Sequence, residues 1–155
     1  AKDLGATVIT TVGDDSKKAF AESLGSDFVL NHNTCNISSE VKKINNNGVD
    51  VVFEHVGPVT WEHSLRCLAM GGRIVTCGAT TGNNVSFDLR YLFMKQQSIL
   101  GSTMASISTF KEVMKKINSS SFTPFVDEVF NFSEIKLAHT KMEDRKQFGK
   151  IVICP

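Results

Sequence analysis

The sequence predicts an α/β fold in which a parallel β-sheet is covered on both faces by helices. Apolar, β-branched runs alternate with segments of helical spacing between residues 7 and 117, which is typical of right-handed βαβ crossovers. The run VDVVF at Val49–Phe53 is almost continuously apolar, as expected of a strand buried on both faces. A chain of 155 residues is also long enough to bury a sizeable core.

The first predicted elements are the end of a helix and a strand. Ala1–Leu4 followed by Gly5 is typical of a last helical turn with its C-terminal glycine, and Thr7–Val12 favours a strand. A helix is predicted over Asp15–Leu24, because an acidic residue stands in its first turn and Gly25 follows its end. Similar patterns predict strand Phe28–Asn31, helix Ser38–Ile44 and strand Val49–Phe53.

The next helix is predicted from Trp61, Leu65 and Leu68, which stand at positions i, i+4 and i+7. Met70–Gly72 is expected to end this helix, and Arg73–Cys77 is expected to form the following buried strand. The alternation then continues through a short helix at Leu89–Lys95, a strand at Ser98–Gly101 and a helix at Phe110–Ile117.

The pattern changes after Ser119. Residues 119–124 form a turn-rich joint, Val126–Phe132 alternates like a strand, Ser133–Lys141 has helical spacing, and Lys150–Ile153 favours a last strand. The sequence therefore predicts one α/β unit followed by a short appendix.

Composition argues against several kinds of partner. The formal net charge is +1, from 17 basic and 16 acidic residues without long runs of one sign, so neither nucleic acid nor an anionic membrane is an expected partner. No apolar run approaches the roughly 20 residues that span a bilayer, and the sequence shows no basic region followed by an apolar stretch, so no signal peptide is visible in it. We expect a cytoplasmic protein.

The cysteines and histidines do not predict a metal site. Four cysteines show no C-x-x-C spacing, and we expect buried thiols in a reducing compartment. The spacings of His55, His63 and His139 relative to the cysteines match no zinc pattern. Zinc is therefore not expected within this chain.

Several ordered segments resemble one known family. GVDVVFEHVGPVTWEHSLRCLAMGGRIVTCGATTG, then DLRYLFMKQQSILGSTM, then FGKIVI closely resemble the coenzyme-binding half of the medium-chain dehydrogenase/reductase family. The likeness is greatest to its quinone oxidoreductase-like, enoyl-reductase-like and zinc-type alcohol dehydrogenase-like members, and it covers essentially the whole chain. It implies that residues 1–125 are a partial dinucleotide-binding domain of the Rossmann type, a doubly wound parallel sheet. Residues 126–155 would return to a catalytic domain that is absent here.

The resemblance also explains the opening of the chain. In the family, a catalytic domain, a strand and a G-x-G-x-x-G turn precede the helix whose end would be AKDLGA. The eleven glycines of this sequence contain no G-x-G pair, so the turn that sets a pyrophosphate on a helix N-terminus is not among these residues. We therefore expect an incomplete Rossmann sheet that begins late in its first helix.

At the adenosine end, the resemblance points to residues that follow the first two strands. Gly13 stands where NAD-selective sites carry an acidic residue, leaving room for a 2′-phosphate that Lys17 could reach. NADPH is therefore expected in preference to NADH, although Asp14 and Asp15 either repel a phosphate or simply cap the next helix. His32 either stacks on the adenosine or is an ordinary loop histidine.

At the nicotinamide end, the resemblance implies a pocket built by loops that follow the later strands. Gly57 would let the backbone approach a ribose, and Lys150 either reaches the pyrophosphate or is a surface lysine. Glu54 and His55 are adjacent in a strand and point to opposite faces, which argues against a shared proton relay. The remaining implied lining residues are Gly78, Ala79, Thr80, Ser102 and Thr103.

Two functions of different class follow. In the first, the intact protein transfers a hydride between a nicotinamide cofactor and a small carbonyl, quinone, enone or alcohol, with catalytic residues in the absent domain. In the second, the chain is an inactive remnant or a dimerising or binding module. A homodimer of the complete protein is expected, through the edge strand near Ser98–Gly101.

Overall fold

The computed structural model describes residues 1–119 and 122–155. Residues 120 and 121, part of the predicted turn-rich joint, lie outside the described residues. The chain divides into two compact units, Ala1–Thr103 and Met104–Pro155. The predicted boundary between residues 125 and 126 concerns the path to a catalytic domain and stays a prediction.

The first unit alternates strands with helices as predicted. Its strands are β1 (Ile9–Val12), β2 (Phe28–Asn31), β3 (Val49–Glu54), β4 (Leu68–Thr76) and β5 (Ser98–Gly101). Its helices are α1 (Lys18–Ser23), α2 (Ile37–Ile44), α3 (Pro58–Cys67) and α4 (Leu89–Met94), with 3₁₀ turns at Lys2–Leu4 and Asp15–Lys17. All strand pairings are parallel, which confirms the predicted fold class.

The strands of the first unit form two separate sheets. In one sheet β1 pairs with β2, and in the other the order is β3-β4-β5. The carboxyl ends of β3, β4 and β5 lie side by side, because Glu54 pairs with Thr76 and Thr76 pairs with Gly101. This shared edge is where an open α/β sheet binds its ligands.

The core of the first unit lies between α3 and one face of the three-stranded sheet. Ile74 in β4 is fully buried, and Val52 and Ile99 on the neighbouring strands lie in register with it. The α3 side chains Trp61 and Leu65 pack in the same cluster. The stripe predicted from helical spacing therefore faces the sheet.

Burial of β3 on both faces is a prediction that the structure contradicts. Val51 is 45% exposed and Phe53 is 67% exposed, whereas Val52 packs against the core. Successive residues of a strand point to opposite faces, and the described core of this unit lies on only one of them. An apolar run alone does not reveal whether a second layer covers the sheet.

Two predicted boundaries near the start of the chain also move. The opening helical turn is a 3₁₀ turn, with Gly5 at φ 78° as its C-cap, and β1 begins at Ile9 rather than at Thr7. The predicted helix from Asp15 divides into a 3₁₀ turn and α1, which ends at Ser23.

Helix α3 ends earlier than predicted. Leu68 already has extended backbone angles, φ −69° and ψ 137°, and pairs with Val49 in the sheet. Met70–Gly72 therefore lies within β4 and does not end a helix. The helical spacing of Trp61, Leu65 and Leu68 did not reveal this boundary. Leu68 is buried at 2% exposure as a strand residue, and a longer helix would have buried it as well.

The second unit contains α5 (Ile107–Asn118), β6 (Val126–Asn131), a 3₁₀ turn at Phe132–Glu134, α6 (Ile135–Glu143) and β7 (Lys150–Cys154). Strands β6 and β7 pair in parallel. Phe130 and Ala138 are buried in this unit, and Lys141 Nζ lies 2.6 Å from carboxylate oxygens of both Asp127 and Glu128. Throughout the described residues, helices with the length and apolar character needed to cross a membrane are absent.

Candidate dinucleotide-binding site

Two of the three residues predicted at the adenosine end, Gly13 and His32, lie together. Gly13 directly follows β1 and His32 directly follows β2, and these strands are adjacent and parallel. A Cβ atom added at Gly13 would lie 3.3 Å from Nε2 of His32. The Asn33 side chain donates a hydrogen bond of 2.6 Å to the Gly13 carbonyl oxygen, so the two loops are tied together.

The acidic residues after Gly13 have local partners. The Asp14 carboxylate accepts a hydrogen bond of 2.8 Å from the Ser16 N–H. Hydrogen bonds from the Ser16 side chain and main chain lower the pKa of Asp14. Asp15 accepts from Asn31 at 2.8 Å and pairs with Lys18 at 2.9 Å. The capping interpretation is thus confirmed for Asp14, while Asp15 stabilises the loop between the first two strands. Lys17, half-buried, ends the intervening 3₁₀ turn.

The residues predicted at the nicotinamide end are held in two loops that bond to each other. The turn after β3, residues 54–57, contacts the loop after β4, residues 77–82. Val56 O accepts from the Thr81 N–H at 2.8 Å and from the Thr81 hydroxyl at 2.7 Å. His55 O accepts from the Thr80 N–H at 3.4 Å. We call residues 77–82 the β4 loop.

Glycines permit this close approach. Gly57 has φ 96°, and a Cβ atom there would lie 3.0 Å from the Gly82 carbonyl oxygen. A Cβ atom at Gly78 would lie 3.0 Å from the His55 carbonyl oxygen. A side chain at either position would therefore press on a carbonyl oxygen, and Gly57 also needs glycine for its backbone conformation.

Ser102, which directly follows β5, joins this group. Its N–H donates a hydrogen bond of 2.8 Å to the Thr76 carbonyl oxygen, so the segment after β5 begins beside the β4 loop. Ser102 and Thr103 are exposed, as are Gly78, Ala79 and Thr80. The structure thus gathers the predicted nicotinamide-end residues of the first unit at one exposed edge.

Lys150 lies in the second unit, at the start of β7. Its N–H donates a hydrogen bond of 2.8 Å to the Phe125 carbonyl oxygen, and the residue is exposed. Its predicted contact with a pyrophosphate stays a prediction.

Glu54 and His55 occupy opposite environments, as strand alternation predicts. Glu54 is 3% exposed, whereas His55 is exposed and its ring centroid lies 6.3 Å from that of Phe53. Glu54 accepts hydrogen bonds from the Val56 N–H and from Ser64. Sequence reasoning missed this buried network, although a carboxylate at a strand end with hydroxyl residues six and ten positions later was a visible signal.

A metal site does not emerge from the described residues, where groups of three or more His, Cys, Asp or Glu side chains that could hold an ion are absent. His55, His63 and His139 are therefore not brought together with the cysteines into such a group in that part of the chain.

A family model described as zinc-binding dehydrogenase matches residues 1–119. The chain belongs to this family. It is 30% identical over 162 residues to crotonyl-CoA carboxylase/reductase of Cereibacter sphaeroides, covering 89% of this chain and 38% of that protein. It is also 30% identical to zinc-type alcohol dehydrogenase-like protein C1773.06c of Schizosaccharomyces pombe, covering 96% of this chain and 45% of that protein. The resemblance to the medium-chain dehydrogenase/reductase family is thus confirmed.

Solved structures of zinc-binding dehydrogenase relatives have the same fold. An NAD-dependent alcohol dehydrogenase is 33% identical, with a TM-score of 0.91, covering 100% of this chain and 46% of that one. A 2-octenoyl-CoA carboxylase reductase, solved with NADP and 2-octenoyl-CoA, is 28% identical with a TM-score of 0.87, covering 98% of this chain and 38% of that one. The chain spans less than half the length of these relatives.

Proposed function

We propose that this chain is the coenzyme-binding part of an oxidoreductase that uses NADPH to reduce a carbon–carbon double bond conjugated to an acyl group. The observation that carries the proposal is the meeting of the residue 54–57 turn with the β4 loop at the carboxyl edge of a parallel sheet. Family membership supports the oxidoreductase class. The cofactor would supply the hydride, and the chain would bind and orient it.

The β4 loop has the donors that a nicotinamide carboxamide needs. The N–H groups of Thr80 and Thr81 are bonded to carbonyl oxygens of the preceding turn. Those of Gly78 and Ala79 have no hydrogen bond within the described residues. Both residues are exposed. These two N–H groups can therefore donate to the carboxamide oxygen and fix which ring face points to the substrate.

Preference for NADPH is proposed from the adenosine end. Gly13 offers no carboxylate to the ribose hydroxyls, and Asp14 is engaged in capping. Lys17 is the residue of this chain proposed to reach a 2′-phosphate, and His32 is proposed to stack on the adenosine. The relative solved with NADP supports this choice, whereas the NAD-dependent alcohol dehydrogenase illustrates the other coenzyme within the same fold.

The substrate class is proposed from the relatives. Crotonyl-CoA carboxylase/reductase, acryloyl-coenzyme A reductase and 2-haloacrylate reductase are all named for compounds with a double bond next to a carbonyl carbon. Quinone oxidoreductase-like protein 2 of Mus musculus keeps a quinone open as an alternative. The proton donor and substrate-polarising groups are proposed to lie in a catalytic domain outside this chain.

A second candidate is a chain that binds and dimerises without catalysis. It is favoured by the separation of the β1-β2 sheet from the β3-β4-β5 sheet. Such a chain would hold a dinucleotide weakly, because most pyrophosphate contacts would be missing. Micromolar affinity for NADPH by calorimetry would contradict this expectation.

We also propose a homodimer that extends the sheet through β5. This strand lies at an edge, with β4 on one side, and edge strands can pair across a twofold axis. Light scattering should give a dimer mass, and Ser98→Lys should shift it to the monomer because charge at an edge opposes pairing. A monomeric wild-type mass would contradict the proposal.

Location and zinc are proposed on separate grounds. All four cysteines are free thiols, which supports a reducing compartment such as the cytoplasm. Any zinc of the intact protein is proposed to bind outside this chain. Cell fractionation and metal analysis of the chain test the two statements.

The test of cofactor binding is an NMR titration of the ¹⁵N-labelled chain with NADP⁺ and NAD⁺. We expect NADP⁺ to shift the amide signals of Gly13, His32 and Gly78–Thr80, at lower concentration than NAD⁺ does. The proposed function would be overturned if only other residues shifted, or if no amide signal shifted at millimolar nucleotide.

A further inference from the structure

A buried carboxylate lies directly under the turn that follows β3. Glu54 is 3% exposed, and the described residues contain no ion pair to it. Its Oε1 atom accepts hydrogen bonds from the main-chain N–H groups of Val56 at 2.7 Å and Gly57 at 3.2 Å. Because a buried charge is costly without compensation, these donors are needed to hold the ionised group.

Hydroxyl groups of α3 complete the shell around this carboxylate. Ser64 Oγ lies 2.5 Å from Oε2, and Thr60 Oγ1 lies 2.9 Å from Oε1 and 3.0 Å from Oε2 of Glu54. Burial raises the pKa of Glu54, but the hydrogen bonds from Ser64, Val56, Gly57 and Thr60 outweigh it and leave the pKa below its usual value. The carboxylate also lies at the N-terminus of α3, whose dipole favours negative charge.

The turn held by Glu54 is bonded in turn to the β4 loop. The Glu54 carbonyl oxygen accepts a hydrogen bond of 3.1 Å from the Cys77 N–H, at the start of that loop. Val56 O accepts from Thr81, and Val59 N–H reaches the Thr81 hydroxyl at 3.4 Å. Any shift of the turn therefore displaces the loop that contains the unbonded N–H groups of Gly78 and Ala79.

We propose that Glu54 is a positioning residue for the nicotinamide end of the site. It acts by fixing the turn to which the β4 loop is hydrogen-bonded. This inference rests on the proposed function, because it assigns a role within the same cofactor site. Glu54 does not touch the cofactor in this role. Its carboxylate holds Gly57 against the β4 loop and so sets the direction of the Gly78 and Ala79 N–H groups.

The positioning role of Glu54 can be distinguished from an effect on folding, because the nicotinamide end and the adenosine end of the site can be probed separately. Gly13 and His32 follow β1 and β2, which form a different sheet from β3 and β4. Nicotinamide mononucleotide probes the nicotinamide end, and adenosine 2′,5′-bisphosphate probes the adenosine end. A loss of overall stability would weaken the binding of both, whereas a positioning defect would weaken only that of nicotinamide mononucleotide.

The experiment titrates the ¹⁵N-labelled full chain and its variants with each nucleotide. For Ser64→Ala, which removes one donor to the carboxylate, we expect a few-fold weaker binding of nicotinamide mononucleotide. For Glu54→Ala we expect about tenfold weaker binding of nicotinamide mononucleotide, which is comparable to the net contribution of one buried hydrogen bond. Glu54→Gln should restore most of the affinity, because its amide oxygen can accept from the N–H groups and its NH₂ can donate to the hydroxyls.

Glu62→Gln is the matched control, because it makes the same chemical change on the exposed face of α3, where Glu62 pairs with Arg66. It should leave both affinities unchanged. If Glu54→Ala does not fold, Ser64→Ala and Glu54→Gln still decide the matter. In Glu54→Ala or Ser64→Ala, equal weakening of both nucleotides, or unchanged nicotinamide mononucleotide binding, would overturn the Glu54 role alone. Failure of both nucleotides to bind the wild-type chain would overturn the proposed function together with it.

Discussion

His32 and Gly13 lie against each other across the first two strands, with Nε2 of His32 3.3 Å from where a Gly13 Cβ atom would stand. This contact brings one residue from each strand end to the place proposed for the adenosine ribose. The glycine leaves that place without a carboxylate, and the histidine forms one of its walls. Coenzyme preference should therefore respond to substitution at Gly13.

Gly13→Asp should weaken binding of adenosine 2′,5′-bisphosphate by at least about tenfold, because the new carboxylate would repel the 2′-phosphate. Binding of 5′-AMP should change much less. Gly13→Ala is the steric control, since it needs only a small movement of the His32 side chain. Titration calorimetry or NMR would measure these affinities, and equal losses for the two nucleotides would argue against a 2′-phosphate site.

Gly57→Ala should destabilise the chain by about 1–3 kcal/mol, the usual cost of holding a non-glycine residue in a backbone region that only glycine adopts easily. Its φ is 96°, and the new methyl group would also meet the Gly82 carbonyl oxygen at 3.0 Å. Urea unfolding followed by fluorescence of Trp61 would measure the change. Gly101→Ala, where a Cβ atom meets nothing within 4 Å, should change stability little.

The ionised form of Glu54 should contribute stability that acid removes. Its folded-state pKa lies below the reference value of 4.5, so its contribution is present above that pH and is lost as pH falls through the folded-state pKa. Glu54→Gln should cost about 1 kcal/mol at pH 7, and the difference from wild type should shrink towards pH 3. Urea midpoints across this range test the prediction, and a pH-independent difference would contradict it.

Cysteine reactivity should differ sharply along the chain. Burial raises the pKa of the Cys67 thiol to about 11, so only about one molecule in a thousand would carry the reactive thiolate there at pH 8. Cys77 and Cys154 are exposed. Iodoacetamide at pH 8 followed by peptide mass spectrometry should label these two first and Cys67 only after unfolding. Early labelling of Cys67 in the native chain would show that α3 opens readily.

Much of the fold was predictable because its signals are local. Gly5 as a C-cap, the Asp14 cap and the strand at Ser98–Gly101 depend on residues close in sequence, and the structure has all three. The alternation of strands and helices also follows from spacing, and it was enough to predict parallel pairing. Strand alternation likewise predicted that Glu54 and His55 face apart.

The resemblance named residues for the candidate site, but it did not predict how the structure holds those residues. Family resemblance selected Gly57, Gly78 and Ser102, yet the hydrogen bonds from Thr81 to Val56 that join the two loops were not predicted. Such bonds connect residues 25 positions apart, and no periodic pattern records them. The Glu54 shell was missed although its donors follow within ten positions, because only folding turns the N–H groups of the turn and the hydroxyls of α3 towards one carboxylate.

The sequence by itself determined the order of the elements, their parallel pairing and the family, because local spacing and residue type are sufficient for these. Only the tertiary structure decided that α3 gives way to β4 at Leu68, that Val51 and Phe53 are exposed, and that Glu54 is buried among four donors. These features depend on which surfaces meet across the chain. A buried apolar side chain reads alike in a helix or a strand, and the Glu54 carboxylate becomes a structural anchor only because folding directs donors of a turn and of a helix onto it.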